Sequence, residues 1–365
     1  MSSSYGKNLR ISIFGQSHGQ MIGAVIDGLP VGEEIDLSAL QKFVDRRSPG
    51  RDEYSTARQE RDRVEIVSGL YQGKTCGAPL CLLIANSDTR SHDYEQLRDI
   101  PRPGHADYSA KVRYHEYNDP RGGGHFSGRL TAPLTAAGGI CLQILARRGI
   151  TVGAHLWSIG GEKDAPIADN CLNPQLLMDF SVKDFPVFDN AAGERMQQEI
   201  RSAKEAGDSV GGVIEVFAIG VPAGLGSPMF DGVENRISAA MFAIPAVKGI
   251  EFGSGFAAAN MHGSEHNDAF YFVDGRITTM SNHHGGILGG ITSGMPLIFR
   301  AAIKPTPSIS QPQATLNTKT MAQTQLAIKG RHDPCIVQRA LPCLEAVTGF
   351  VLLDLLLDSE YQSIN

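Results

Sequence analysis

Two long apolar helical stretches do most to limit what this chain can fold into. Over 129–148, Leu130, Leu134, Ala137, Cys141, Ile144 and Leu145 recur at the 3.6-residue period, with alanine and glycine along the tight side. Residues 337–357 read as a second helix, apolar enough to be well buried. Helices of this kind need sheets or other helices to cover them. Short β-patterned runs are available: 9–14 with 21–26, and 64–70 with 79–84, each pair spaced for an antiparallel hairpin packed under helices. Further strands are expected at 150–159, 212–219, 269–273 and 294–303, and helices at 37–46, 192–206 and 231–242. Asp36 or Ser38 caps the first of these helices. Residues 161–190 read as irregular. The order of elements has no strict βαβ rhythm and no clean linker, so the expected fold class is α+β, in one large domain over 1–365. A mobile basic loop is expected at about 46–63, and weak order at about 308–328.

Charge and composition exclude several functions. Hydrophobic residues make up 42% and charged residues 20%, which supports a sizeable core and argues against disorder. The net charge of -6 argues against a general nucleic-acid binder, so any basic site is local within an acidic body. The six cysteines, at 76, 81, 141, 171, 335 and 343, form no CxxC pair and read as reduced core thiols, with no metal site. The first residues carry no apolar signal region and no run approaches about 18 apolar residues, so a soluble cytoplasmic protein is expected.

Residues 101–129 concentrate chemistry. Pro-Arg-Pro-Gly-His-Ala-Asp-Tyr is followed by Arg-Gly-Gly-Gly-His-Phe-Ser-Gly-Arg, directly before the first long helix. A glycine-rich loop opening onto a helix N-terminus suits an anion, and Arg102, Arg121 and Arg129 add charge with fork geometry. Three motif matches are set aside. Gly-Gln-Ser-His-Gly at 15–19 fits the nucleophile elbow but leads into a second strand rather than a helix. The run from Gly69 to Thr75 is one residue short of a P-loop. Neither glycine cluster, at 122–124 or 285–290, fits the dinucleotide fingerprint. What remains is three acid–base candidates, His18, His105 and Asp333, with several arginines and glycine turns, including Asn-His-His-Gly-Gly at 282–286. That inventory suits a polyanionic substrate beside a phosphorylated cofactor.

A resemblance to one known family runs along the chain. The resemblance rests on Gly-Gln-Ser-His-Gly at 15–19, Asp-Arg-Arg-Ser-Pro-Gly at 45–50, Arg-Pro-Gly-His-Ala-Asp-Tyr at 102–108 and Arg-Gly-Gly-Gly at 121–124. It continues through Gly-Asp-Ser-Val-Gly-Gly at 207–212, Pro-Ala-Val-Lys-Gly-Ile-Glu-Phe-Gly at 245–253 and His-Gly-Gly-Ile-Leu-Gly-Gly at 284–290. Lys-Pro-Thr at 304–306 and Lys-Gly-Arg-His-Asp-Pro at 329–334 complete the set, in the order found in the chorismate synthase family, which the chain resembles.

The resemblance implies a β-α-β sandwich, a homotetramer and a carbon–oxygen lyase acting on phosphates. It implies 1,4-anti elimination of phosphate from 5-enolpyruvylshikimate 3-phosphate to give chorismate, with reduced FMN and no net redox change. His18 then resembles the histidine that protonates the departing phosphate, and His105 the one that protonates the flavin. Asp333 resembles the carboxylate that helps the flavin act as base. Ser17, Arg47, Arg102, Arg129 and Arg331 resemble substrate contacts, and Arg47 also matches an NADP-type position. Flavin contacts are implied for His125, Phe126, Ser127, Ala246, Gly289, Lys304, Pro305, Thr306, Pro307, Ser308 and Arg331. Gln16, His125, Phe126 and Glu53 depart from the family pattern; Arg51 or Arg58 stands in for an arginine at position 53. No added reductase segment is recognisable, which implies an external flavin reductant. Two rival classes are a flavin-dependent redox enzyme and a non-catalytic anion-binding module.

Overall fold

The period-two run Arg10–Gly15 turns back on Met21–Asp27, pairing Ile11 with Ile26 and Ile13 with Ala24. It seeds an antiparallel sheet in the order Ser4–Tyr5, Arg10–Gly15, Met21–Asp27, Leu80–Ala85, Val64–Ser68. A second antiparallel sheet runs Val247–Phe252, Leu297–Ile303, Gly212–Ile219, Thr151–Ile159, Glu162–Lys163. The computed structural model describes residues 3–48, 50, 62–86, 98–167, 171–273, 275–328 and 333–364. Its helices are α1 (Leu37–Asp45), α2 (Asp107–Arg113), α3 (Thr131–Arg147), α4 (Pro174–Val182), α5 (Asn190–Glu205), α6 (Val233–Met241), α7 (Gly263–His266) and α8 (Val337–Ile364).

Helices α3 and α8 pack on each other between the sheets. α3 lies against strands of the first sheet, and α8 against Thr151–Ile159 and Gly212–Ile219 of the second. The small residues of α3 allow this close crossing: a Cβ at Gly138 would stand 2.2 Å from the Ala346 carbonyl oxygen. Ile140 and Ile144 of α3 and Leu344, Leu352 and Leu353 of α8 are fully buried. Each such side chain contributes roughly 1.5–3 kcal/mol through removal of apolar area from water. The fold is the expected α+β class, with helices between antiparallel sheets.

The segments Gly128–Arg147 and Val337–Glu360 are long and apolar enough to cross a membrane by composition, but the most apolar 18-residue stretches within them are 78% and 94% buried inside the fold. They are core helices. One expectation about apolar residues needs correction, that of six core thiols. Of the cysteines, 141, 335 and 343 are buried, whereas Cys76 and Cys171 are exposed.

Some elements escaped the sequence reading. α4 starts at Pro174 with the Asn173 side chain accepting from Leu176 N–H, a start signal hidden in an irregular-looking stretch. Strands 64–68 and 80–85 are neighbours, but a small hairpin, Leu70–Tyr71 with Lys74–Thr75, interrupts the connection. The segment expected to show weak order carries the hairpin Gln313–Asn317 with Ala322–Leu326. It is tied to the 99–101 segment by polar contacts: Thr315 Oγ1 donates to the Pro101 carbonyl at 2.6 Å, and Thr318 N–H to Asp99 O at 2.8 Å.

The second sheet carries a lateral row of charge. His155, Glu215, Arg300 and Glu251 lie side by side on neighbouring strands. The fully buried His155 ring, stacked between Phe180 and Phe217, sets Nδ1 2.9 Å from Asp164 Oδ2 and Nε2 3.0 Å from Glu215 Oε2. Burial opposes its charge, but hydrogen bonds to two carboxylates overcome that and raise its pKa. A group raised in the folded state stabilises below its unfolded pKa of about 6.5, and this is lost as pH rises through the folded value. Urea midpoints of the wild type and His155→Gln are therefore expected to differ most near about pH 6 and to converge toward alkaline pH. A gap that is constant with pH would remove His155 from this role.

Candidate active site

Gly122, Gly123 and Gly124 organise the site. Their φ angles are +58°, +84° and +55°, a conformation that only glycine adopts without strain three times in succession. The resulting knot brings backbone against two histidine rings. A Cβ at Gly122 would lie 2.3 Å from His18 Cε1 and 2.6 Å from Ser17 Oγ; one at Gly123 would lie 3.0 Å from His105 Cε1. Ser17 N–H donates to Gly124 O at 3.0 Å, and Ser17 Oγ lies 3.3 Å from His18 Nδ1. Two acid–base candidates distant in sequence thus rest on adjacent glycines. Gly122→Ala is expected to push His18 from its place and to lower turnover by at least about 10²-fold, the scale for a misplaced catalytic group. Circular dichroism should stay unchanged; full turnover in that variant would show that the glycine contact is dispensable.

His105 is tied to a carboxylate and a guanidinium. Its Nδ1 lies 2.6 Å from Asp107 Oδ1. Asp107 Oδ2 accepts from Arg102 Nε at 2.7 Å and Arg102 N–H at 3.0 Å, and Oδ1 accepts from Arg102 Nη2 at 2.8 Å. Burial works against the Asp107 charge, but the hydrogen bonds from Arg102 and His105 outweigh it and hold its pKa well below the usual carboxylate range. Arg102 Nη1 also donates to Ser308 Oγ at 3.4 Å. Arg102 therefore joins the 101–107 turn to the 304–308 segment.

A second charged knot lies at the start of α3. Asp62 is fully buried between Arg47, whose Nη1 donates to Oδ2 at 2.7 Å, and Arg129, whose Nη1 donates to Oδ1. Arg47 also donates from Nε to Thr131 Oγ1 at 2.8 Å and from Nη2 to Gly128 O at 2.9 Å. Arg129 donates from Nε to Asn86 Oδ1 at 2.9 Å. Ser127 Oγ accepts from Arg129 N–H at 3.3 Å. Burial disfavours the Asp62 charge; the two guanidinium groups overcome it, and its pKa is lowered.

These groups line one open cleft of about 2240 Å³. His18, His105, Asp333, Ser17, Arg47, Arg102 and Arg129 are on its walls, as are His125, Phe126, Ser127, Ala246, Lys304, Thr306, Pro307 and Ser308. Among the described residues, cations outnumber the carboxylates on those walls, which are Asp119 and Asp333, so the local field is positive although the chain is acidic. Asp333 accepts from Arg339 Nη1. It precedes α8, which begins at Val337. Burial, and then Lys248, lower the pKa of Lys304. Ala246 holds φ +77°, a strained conformation for a residue with a Cβ, and its carbonyl accepts from Lys304 N–H at 2.9 Å. Thr306 Oγ1 is buried and makes no hydrogen bond within the described residues.

Other positions fall differently. Gly289 sits in the turn between Ile287–Leu288 and Ile291–Thr292, and neither it nor Pro305 is on the cleft wall. His283 and His284 also lie away from the cleft, with His283 Nδ1 2.9 Å from Ser254 Oγ. On the cleft wall the His125 ring is held by the first sheet: Nδ1 donates to Gly15 O at 2.9 Å and Nε2 pairs with Ser3 Oγ at 2.9 Å. It braces the 15–18 turn. Phe126 packs on Tyr114. Arg331, Arg51, Arg58 and Glu53 lie outside the described residues, as does most of the 46–63 loop. Sequence reasoning missed Asp62, Asp107, Asp119, Lys248 and Arg339. Asp107 had a signal, standing two residues after His105 in a motif already singled out.

Residues 9–357 match the family model described as chorismate synthase. The chain belongs to the chorismate synthase family. It is similar to the chorismate synthase of Thermococcus gammatolerans, 48% identical over 352 residues covering 96% of this chain and 97% of that protein. The chorismate synthase of Korarchaeum cryptofilum is 46% identical over 355 residues, covering 96% of each chain. A solved crystal structure of chorismate synthase superposes with a TM-score of 0.77 at 30% identity, covering 97% of this chain and 93% of that one. The chain is accordingly a chorismate synthase-type lyase of aromatic biosynthesis.

Proposed function

We propose that the chain converts 5-enolpyruvylshikimate 3-phosphate to chorismate and phosphate by 1,4-anti elimination, using reduced FMN without net redox change, as the seventh step of the shikimate pathway. The observation that carries this reading is the shared cationic cleft in which His18, His105 and Asp333 meet Arg47, Arg129 and the 304–308 segment. A substrate with one phosphate and two carboxylates calls for such a cleft.

The cleft also fits a phosphorylated flavin. Thr306 Oγ1 is a buried polar atom lacking a hydrogen bond within the described residues, Lys304 is a half-buried cation beside it, and Ala246 keeps its backbone strained at the same wall. Lys304, Thr306, Pro307, Ser308 and Ala246 would hold it, with Phe126 and Tyr114 limiting water. Reduced FMN, when bound, supplies electron density to the breaking C–O bond and a basic nitrogen for the ring proton. Arg47 and Arg129 orient the anionic substrate at the α3 N-terminus. His18 holds a proton beside Ser17 for the departing phosphate, and His105 holds one on the other side of the triple glycine. Asp333, paired with Arg339, supports proton removal.

A homotetramer, a cytoplasmic setting and an external flavin reductant complete the proposal. The ribbon Phe270–Val273 with Arg276–Thr279 supports assembly, because Phe270, Phe272, Val273 and Ile277 are all exposed on it. An anaerobic assay tests the function: phosphate should be released from the substrate with reduced FMN and not with oxidised FMN. Binding of phosphates without release would favour the anion-binding module.

A further inference from the structure

We propose that Asp107 is the positioning residue for His105, fixing its proton on Nδ1 and leaving Nε2 as the nitrogen that exchanges protons with the cleft. This rests on the role given above to His105. The argument is geometric. The carboxylate of Asp107 is ionised and can only accept, so the proton in the 2.6 Å contact belongs to His105 Nδ1. Arg102 Nη2 lies 3.0 Å from Nδ1 and 3.2 Å from Nε2. Arginine has no lone pair to offer, and Nδ1 already carries hydrogen, so the guanidinium can donate only toward Nε2. The Arg102 fork is itself held by both Asp107 oxygens and by its own backbone N–H on Oδ2. One carboxylate therefore sets the ring's tautomer, its tilt and the position of the neighbouring cation. Gly123, where a Cβ would stand 3.0 Å from Cε1 and 3.1 Å from Nε2, packs tightly against the ring. Nothing else in the described surroundings offers His105 an acceptor at hydrogen-bond distance.

The arrangement has a chemical consequence. A neutral ring carrying its proton on Nε2 would face the Arg102 guanidinium with a donor and lose the Asp107 contact. Holding the Nδ1–H form keeps a lone pair on Nε2, which accepts from Arg102 at rest and takes up and returns a proton when that contact opens. The substitution Asp107→Asn would preserve the shape but present either an amide oxygen or an amide nitrogen, and would no longer offset the Arg102 charge.

Two measurements test this. In ¹⁵N-histidine-labelled wild-type protein, with the His105 signals identified by their loss in His105→Gln, the neutral ring is expected to show Nδ1 protonated and Nε2 unprotonated. The reverse pattern would overturn the proposal whatever any variant does. Asp107→Asn is then expected to lose this tautomer preference and to lower kcat by about 10²-fold, the scale of a misplaced catalytic group, with KM little changed. Asp107→Glu, which restores a carboxylate, should recover part of the loss. Asp107→Asn with wild-type kcat, or with reduced kcat and an unaltered His105 tautomer, contradicts the assignment. Failure of the wild type to form chorismate would instead defeat the functional reading, while the ¹⁵N pattern still decides the role of Asp107.

Discussion

His105→Ala and His18→Ala are each expected to fold as the wild type does and to lose turnover by about 10²- to 10⁴-fold, the usual worth of a positioned general acid. Both rings are half-buried at the cleft rather than in the core, so their loss leaves the sandwich between α3, α8 and the two sheets untouched. Their contacts explain the expected size. His18 is seated by Ser17 and Gly122, and His105 by Asp107, Arg102 and Gly123. Among the described residues no other histidine reaches either place, since His125 is turned to Gly15 and His283 and His284 lie outside the cleft. Steady-state chorismate formation, with thermal melting as the folding control, measures both. Near wild-type rates in the two variants would sink the assignment of both acids.

Asp62→Ala is expected to be the most destabilising single change at the site, by about 3–5 kcal/mol, because breaking a buried ion pair leaves uncompensated charge. Here two guanidinium groups, of Arg47 and Arg129, lose the same fully buried partner. The pH dependence has a definite sign. The lowered pKa of Asp62 means that its stabilisation is present above the ordinary carboxylate value of about 4 and disappears as pH falls through the lowered one. The deficit of Asp62→Ala, read from urea midpoints, should therefore be full at neutral pH and shrink on acidification. Turnover should fall as well, since Arg47 and Arg129 would lose the geometry that aims them at the α3 N-terminus. An unchanged midpoint at neutral pH would mean that solvent already screens the two arginines.

The sequence made the central layer legible because α3 and α8 repeat apolar residues at helical spacing, and made the first hairpin legible because Ile11, Ile13, Ile22 and Ile26 alternate. It hid α4 behind a polar, proline-led start, and hid the 313–326 hairpin because an exposed ribbon needs no apolar period. In the site, the residue types that chemistry demands stood out: His18, His105, Asp333, Arg47, Arg102 and Arg129. Their partners did not. Asp62 sits in an arginine-rich run and reads as one more solvated charge, yet it is fully buried. Asp107 opens α2 inside a stretch that reads as a loop, and its carboxylate serves Arg102 and His105. Such roles depend on which segments meet in space. The triple glycine is the intermediate case: its need for positive φ is legible, but not that its glycines would touch two separate histidines.

The most direct test of the account is the ratio of chorismate formed to reduced FMN consumed, measured without oxygen on the wild-type protein. An elimination without net redox change predicts many molecules of chorismate per flavin, with equal phosphate release and the flavin still reduced at the end. One product per flavin oxidised, or no chorismate at all, would contradict it.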